Sequence, residues 1–238
     1  MLKVENVYKT YNSGIVKRRQ LPVLNDISFE IPSGISVGLM GDSGCGKSTL
    51  ARILIGLLNA DSGRVIFDGR DISELSGIEK KKFRRKMQIV FQNPESSLNP
   101  RMTILQNMLE PMIIQKLYST TEQKSIVLEK IKTVGLSDNL LLRYPREISG
   151  GEAQRIVLAR ILTLNPSFII LDEPTSMLDM SVQAQILDLL KRLQAELNLT
   201  YLLISHDKRV VEWFTEQTYL LKNGTLHKER SEKHKGLS

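Results

Sequence analysis

The chain has 238 residues, of which 41% are hydrophobic and 25% charged, with a formal charge of +7 and one cysteine, Cys45. This is ordinary globular composition, long enough to bury a core as one large domain or two small ones. A lone cysteine excludes an internal disulfide and a cysteine-built metal cluster, no run of 18 apolar residues is long enough to span a bilayer, and Met1–Glu5 lacks the basic and apolar regions of a signal peptide, so the cytoplasm is the expected compartment.

From Leu2 to Phe29 the text reads as short strands, with Ile27, Phe29 and Ile31 alternating as a half-buried strand should. A basic insertion, Ser13–Leu21, is expected to loop out. Pro32-Ser33-Gly34 turns the chain into an apolar run, Ile35 to Met40, followed by Gly41-Asp42-Ser43-Gly44-Cys45-Gly46-Lys47-Ser48-Thr49 and a helix read as Lys47–Leu58. Strand, glycine-rich loop and helix form the context in which G-x-x-x-x-G-K-[ST] cradles phosphate. The backbone N–H groups converge on one anion, Lys47 reaches the β/γ-phosphates and the Ser48 hydroxyl is placed to ligate Mg²⁺.

Asp61-Ser62-Gly63 reads as a turn before a strand at Val65–Phe67. A basic helix from about Ile78 to Arg85 leads to a strand at Met87–Phe91 that ends at Gln92. The cations of this helix, with a tail from Lys228 to Lys235, carry much of the charge. They read either as solvated surface or as a contact for an anionic membrane or nucleic acid, and composition does not separate these. Asn93–Arg101 is loop by composition. Apolar residues then recur at helical spacing from Thr103 to Leu142, which predicts a helical subdomain inserted in an α/β core.

Ser149-Gly150-Gly151 precedes a helix with apolar Ala153, Ile156, Val157, Ile161 and Leu164, ended by Asn165-Pro166. Phe168–Leu171 reads as a buried strand delivering Asp172 and Glu173 at its tip, where an open parallel sheet presents its ligands. Asp172 there can hold a nucleotide's Mg²⁺, and Glu173 can orient or deprotonate a water. A helix with Val182, Ile186, Leu189, Leu193 and Leu197 on one face follows, then a strand at Tyr201–Ile204 ending in Ser205-His206-Asp207. The alternation of strands and helices argues for a mainly parallel sheet.

Gly41–Thr49, Gln92, Ser149-Gly150-Gly151-Glu152-Ala153-Gln154-Arg155, Ile169–Ser176, Ser176-Met177-Leu178-Asp179 and Ser205-His206-Asp207 stand in the order and spacing of an ABC-transporter ATPase, and the likeness spans the whole chain. The run Phe91–Thr103 and Lys47-Ser48-Thr49-Leu50-Ala51-Arg52 resemble the peptide/nickel importer family, in particular the second ATPase of dipeptide, oligopeptide, nickel or nickel-chelate importers. The resemblance implies a P-loop NTPase core, a mainly parallel sheet with an N-terminal antiparallel β part, plus an inserted helical subdomain. One domain would span residues 1–238, with the core at 1–92 and 160–238 and the helical part at about 93–159.

It further implies that Gln92 contacts Mg²⁺ or the attacking water, that His206 contacts the γ-phosphate and holds Glu173, and that Tyr11 stacks on adenine, with Tyr8 competing for that role. Ser149, Gly150, Gly151 and Glu152 would bind the γ-phosphate of ATP held by a second cassette, and Asp179 would lie at the same interface. ATP would close this dimer and hydrolysis would open it. The implied partners are a second ABC ATPase subunit, identical or not, two transmembrane permeases and an extracytoplasmic substrate-binding protein. No nucleic acid is expected, and the place would be the cytoplasmic face of the membrane, peripherally.

Glu152 stands where glutamine is commoner, Met177 where a small residue is commoner, and the chain ends soon after Gly224, so an extension bearing an iron–sulfur cluster is not expected. His227 and His234 read as tail residues rather than nickel ligands. The rival readings are a soluble ABC ATPase acting on nucleic acid or the ribosome and a helper in a phosphonate-degrading complex. The cargo, whether nickel, metal chelate, dipeptide or oligopeptide, stays open at this point.

Overall fold

A computed structural model describes residues 1–13 and 19–229. The middle of the expected basic loop (14–18) and most of the basic tail (230–238), including His234, lie outside the described residues. In chain order the elements are β1 (Leu2–Ser13), β2 (Arg19–Ile31), β3 (Ser36–Met40), α1 (Lys47–Leu54), β4 (Ser62–Phe67), β5 (Arg70–Asp71), α2 (Gly77–Lys86) and β6 (Met87–Val90). Then come α3 (Ile104–Gln115), α4 (Thr120–Thr133), α5 (Gly150–Leu162), β7 (Phe168–Asp172), α6 (Met180–Leu197), β8 (Thr200–Ile204), α7 (Lys208–Phe214), β9 (Gln217–Lys222) and β10 (Thr225–Glu229). They group into two compact units, Met1–Phe83 with Leu199–Ser238, and Arg84–Asn198.

The first unit begins with two long strands rather than several short ones. β1 and β2 pair antiparallel from Leu2 opposite Ile31 to Ser13 opposite Arg19, so Ser13 and Arg19–Leu21 belong to the ladder and not to a loop. Register shifts between Val4 and Thr10 make the text look interrupted, because a bulge changes which face a side chain takes without ending the pairing. β4 joins the other edge of β1 and carries β5, giving the order β2-β1-β4-β5. β3 is buried with β8 and β9 parallel on its two sides, and β10 returns antiparallel on β9.

Helix α1 stops at Leu54, four residues short of the reading. Gly56 takes φ 68°, its N–H bonds the carbonyl of Ile53, and the N–H of Leu57 bonds that of Arg52. This is the six-to-one closure that a left-handed glycine makes at a helix end. The turn signal at Asp61 lies beyond it, and Ser62 already pairs with Tyr8 as the first residue of β4. The elements after Asp207 (α7, β9 and β10) complete this unit: α7 packs on β3 so closely that a Cβ on Gly38 would lie 2.4 Å from Val211 Cγ1.

In the second unit β6 and β7 pair in parallel, with Val90 opposite Leu171. The helical spacing from Thr103 to Leu142 resolves into α3, α4 and a 3-10 turn at Asp138–Leu142, with α3 and α4 both packed on α5. Thr103 and Ser119 close capping boxes with Gln106 and Glu122, which start these two helices where they do. The stretch read as loop contains a 3-10 turn at Glu95–Ser97. On α6, Ile186, Leu189 and Leu193 are buried as expected, whereas Leu197 is exposed and Val182 half-buried at the helix ends.

A polar cluster stitches this unit together. Buried Asn107 accepts the N–H of Asn99 at 2.7 Å and donates to the carbonyls of Asn99, Met102 and Thr103. Arg160 on α5 donates to the carbonyls of Asn107 and Ser97 and pairs with Glu110 at 2.6 Å. The chain after Gln92 is thereby fastened to α3 and to α5.

Candidate functional site

In the first unit, the phosphate loop springs from the end of β3, held between two parallel neighbours. Gly41 takes φ 151°, and a Cβ there would meet the carbonyl oxygen of Leu221 at 2.4 Å, so no side chain fits. Gly46, left-handed at φ 113°, is the N-cap of α1. Lys47 is buried, and its ammonium donates to the carbonyls of Gly41 at 2.7 Å and Asp42 at 2.8 Å, which folds the loop around its own cation. Asp42, Ser43, Gly44 and Ser48 are exposed, and Cys45 and Thr49 are half-buried. An ammonium held inside a ring of backbone beneath a helix start suits a polyphosphate.

Tyr11 and Tyr8 lie on β1 and are almost equally exposed. Lys9 Nζ sits 6.0 Å from the Tyr11 ring centroid and is anchored by Asp61 at 2.6 Å. The Lys9 ammonium and the Thr10 N–H hold the Asp61 carboxyl below its ordinary value. Between β8 and α7, the Ser205 hydroxyl accepts the N–H of Asp207, whose carboxylate accepts the N–H of Arg209 at 2.9 Å and caps α7. His206, exposed, rides on this corner.

In the second unit, the parallel pairing of β6 and β7 brings two predicted residues together. Each lies two positions beyond the last register pair, and Gln92 Nε2 donates to Glu173 Oε2 at 3.2 Å. Glu173 is at φ 49°, unusual for a residue with a side chain, and its carbonyl accepts both the N–H and the hydroxyl of Ser176. Strain of this kind concentrates at working sites. Asp172, half-buried, closes β7. Because the Gln92 amide donates through Nε2, its Oε1 is the atom offered to a cation. With the Asp172 carboxylate at the tip of β7, the donor types this unit offers are both oxygen, the kind that Mg²⁺ takes.

The second predicted group gathers in the same unit. Ser149 is the N-cap of α5, and its N–H and hydroxyl both donate to Glu152 Oε2, at 2.7 and 2.9 Å, while Glu152 N–H returns to the Ser149 hydroxyl. The Ser149 N–H, then its hydroxyl, hold the Glu152 carboxyl below the usual value, with Arg143 adding. Glu152 therefore orients Ser149. A Cβ on Gly150 would be 3.6 Å from Leu178, and one on Gly151 would be 2.8 Å from Val182 Cγ1. Asp179 caps α6 by accepting the Val182 N–H at 3.0 Å. The starts of α5 and α6 thus lie side by side.

The reading of the sequence assigns no role of their own to Arg155, quoted there only within the Ser149–Arg155 motif, or to Arg160. Arg155 donates to the carbonyl of Val134 and to Gln185, tying α5 to the end of α4 and to α6. The signal available was a charged residue inside an otherwise apolar helix.

Residues 24–176 match the family model described as ABC transporter. The chain is 42% identical over 231 residues to the oligopeptide transport ATP-binding protein AppF of Bacillus subtilis (strain 168), covering 95% of this chain and 70% of that protein. It is 40% identical over 227 residues to the oligopeptide transport ATP-binding protein OppF of Streptococcus mutans serotype c (strain ATCC 700610 / UA159), covering 95% and 73%. Among solved structures, the ATP-binding cassette MJ0796, in a dimeric post-hydrolysis state bound to ADP and Pi, superposes with a TM-score of 0.85 at 34% identity over 98% of this chain and 100% of that one. The structure of cbiO1 from Clostridium perfringens, part of the ABC transporter complex cbiONQ, gives 0.83 at 29% identity, over 95% and 86%. With its phosphate loop, its strand-tip acids and its glycine-opened helix in place, the chain belongs to the ABC transporter family, as one of its ATP-hydrolysing cassettes.

Proposed function

We propose that this cassette powers import of peptides, and that Gly41–Thr49, Tyr11 and His206 of one unit act on the same MgATP as Gln92, Asp172 and Glu173 of the other. The relatives named for oligopeptide transport support the cargo, and favour it over nickel and over a soluble role on nucleic acid or in phosphonate degradation. Functionally the chain works as one domain, with a core at 1–92 and 160–238 and a helical part at about 93–159. It acts at the cytoplasmic face of the membrane with a second ATPase, two permeases and an extracytoplasmic binding protein. No helix among the described residues is long and apolar enough to cross a membrane.

In this mechanism the Lys47 ammonium and the loop amides neutralise the β- and γ-phosphates. Ser48, Gln92 and Asp172 would hold Mg²⁺, which when bound would supply charge neutralisation at the phosphates. Glu173 takes a proton from the attacking water as the water's oxygen bonds the γ-phosphorus and the bond to the β-phosphate oxygen breaks. Gln92 fixes the orientation of that carboxylate, and His206 contacts the γ-phosphate. Ser149, Gly150 and Gly151 of a second cassette close over the same phosphate, with Glu152 holding Ser149 and Asp179 holding the adjoining helix start. Loss of inorganic phosphate removes the bridge.

The Gln92–Glu173 hydrogen bond carries this reading, because it couples the only acid of the pair in left-handed backbone to the segment that leads toward α3. Glu173→Gln tests it. ATP should still bind, hydrolysis should fall by about a hundredfold or more, and the complex should accumulate as a closed dimer that co-purifies with its permeases. Rapid turnover by that variant would place water activation elsewhere. Uptake of labelled peptide against labelled nickel in a deletion strain decides the cargo.

A further inference from the structure

Helix α2 concentrates the charge of this chain. Its ten residues hold six bases and one acid, a net +5 of the chain's +7. The acid, Glu79, is already paired with Arg70, and Lys80, Lys81 and Lys82 are exposed. One side chain fastens the helix to its unit: Phe83 is buried edge-on against Phe67, with ring centroids 5.6 Å apart, and its ring lies 3.5 Å from where a Cβ of Gly56 would stand. The residue after Gly56, Leu57, and the second residue of α2, Ile78, are 63% and 73% exposed. Ile78 shares a helix face with Lys81 and Lys82, three and four positions on.

Ammonium groups beside an exposed aliphatic side chain on one helix face match an anionic bilayer surface. The cations sit at phosphate level and the aliphatics enter the acyl boundary. A nucleic-acid groove of similar charge would add rings on which bases stack. Here both rings of the corner, Phe67 and Phe83, are buried against each other. The charge is also local, which favours a contact over general repulsion or solubility.

We propose that Lys80, Lys81 and Lys82, together with Ile78 and Leu57, bind anionic phospholipid headgroups and hold this chain against the bilayer beside its permeases. The inference rests on the importer reading, which supplies the bilayer.

The test is flotation of the full chain with phosphatidylcholine vesicles, and with vesicles in which about a third of the lipid is phosphatidylglycerol. Binding should require phosphatidylglycerol and be lost as salt rises from about 50 mM to 500 mM. Each neutralised lysine should lower the partition coefficient about fivefold, so Lys80→Gln/Lys81→Gln/Lys82→Gln should lower it about a hundredfold. Leu57→Ser/Ile78→Ser should leave binding at low salt and make it more salt-sensitive. ATP hydrolysis should be unchanged in every variant, which also reports that each folds. Equal binding by the triple variant, binding to neutral vesicles alone, or displacement from vesicles by duplex DNA at lower concentration than by added phosphatidylglycerol would overturn the proposal. Loss of hydrolysis or of permease co-purification in the unaltered chain would instead strike the importer reading.

Discussion

Gly151 is asked to do two things, and a double substitution separates them. In Gly151→Ala the new methyl would lie 2.8 Å from Val182 Cγ1, well inside van der Waals contact. Val182 cannot swing aside cheaply, because a β-branched residue in a helix has essentially one favoured χ1 rotamer. Forcing α5 and α6 apart should cost about 2 kcal/mol as overpacking, against about 0.9 kcal/mol regained by replacing glycine with alanine in a helix. The net loss is about 1 kcal/mol, or about 2–4 °C in Tm for a chain of this size. Val182→Ala removes the obstructing methyl, so in the Gly151→Ala background it should restore stability, with a coupling of about 2 kcal/mol in the cycle. On the proposed function ATP hydrolysis should not return with it and should stay at least about tenfold down, because a methyl beside the Gly151 N–H would disturb the close approach of the γ-phosphate. Urea unfolding and steady-state ATPase of the four proteins measure both. If Val182→Ala changes stability equally in the two backgrounds, α6 does not demand the glycine; if activity recovers fully with stability, phosphate binding does not demand glycine at position 151.

Arg160→Ala should destabilise the second unit by about 2–3 kcal/mol, because it leaves Glu110 and two carbonyls without their donor, with Glu110 partly in water. Urea unfolding and faster hydrogen exchange at residues 97–107 would show it. Glu152 has a depressed folded pKa, so its contribution to stability is complete above the ordinary value of 4.5 and is lost as pH falls through the lower folded value. Glu152→Gln should flatten that acid limb in circular dichroism while keeping α5 capped. Cys45, half-buried in the phosphate loop, should be alkylated with loss of ATP binding, and saturating ATP should slow the labelling about tenfold or more, as followed by mass spectrometry.

What could be read without coordinates was whatever has a local cause. β3, β7 and β8 announce themselves as continuous apolar runs, and the phosphate loop, the acids at 172 and 173 and the glycines at 150 and 151 are fixed by spacing along the chain. Ser149 and Glu152 are legible for the same reason, since a cap and its partner are three residues apart. Where the text misled, the cause was short-range too. Bulges disguised β1 as several strands, and a left-handed Gly56 stopped α1 before its apolar pattern ran out.

Distance in sequence hid the rest. Gln92 meets Glu173 across 81 positions because β6 and β7 happen to be parallel with Val90 opposite Leu171, and no periodicity in either strand encodes that register. Arg160 looks like a solvent residue until Ser97, Asn107 and Glu110 arrive around it. Gly151 looks like a phosphate-binding glycine until Val182 is found where its side chain would be. The chain by itself determined its motifs, its elements and the chemistry they can perform, because propensity, capping and backbone freedom act over a few residues. Which of those motifs touch was decided only by strand pairing and helix packing, whose energies come from surfaces brought together from remote parts of the chain.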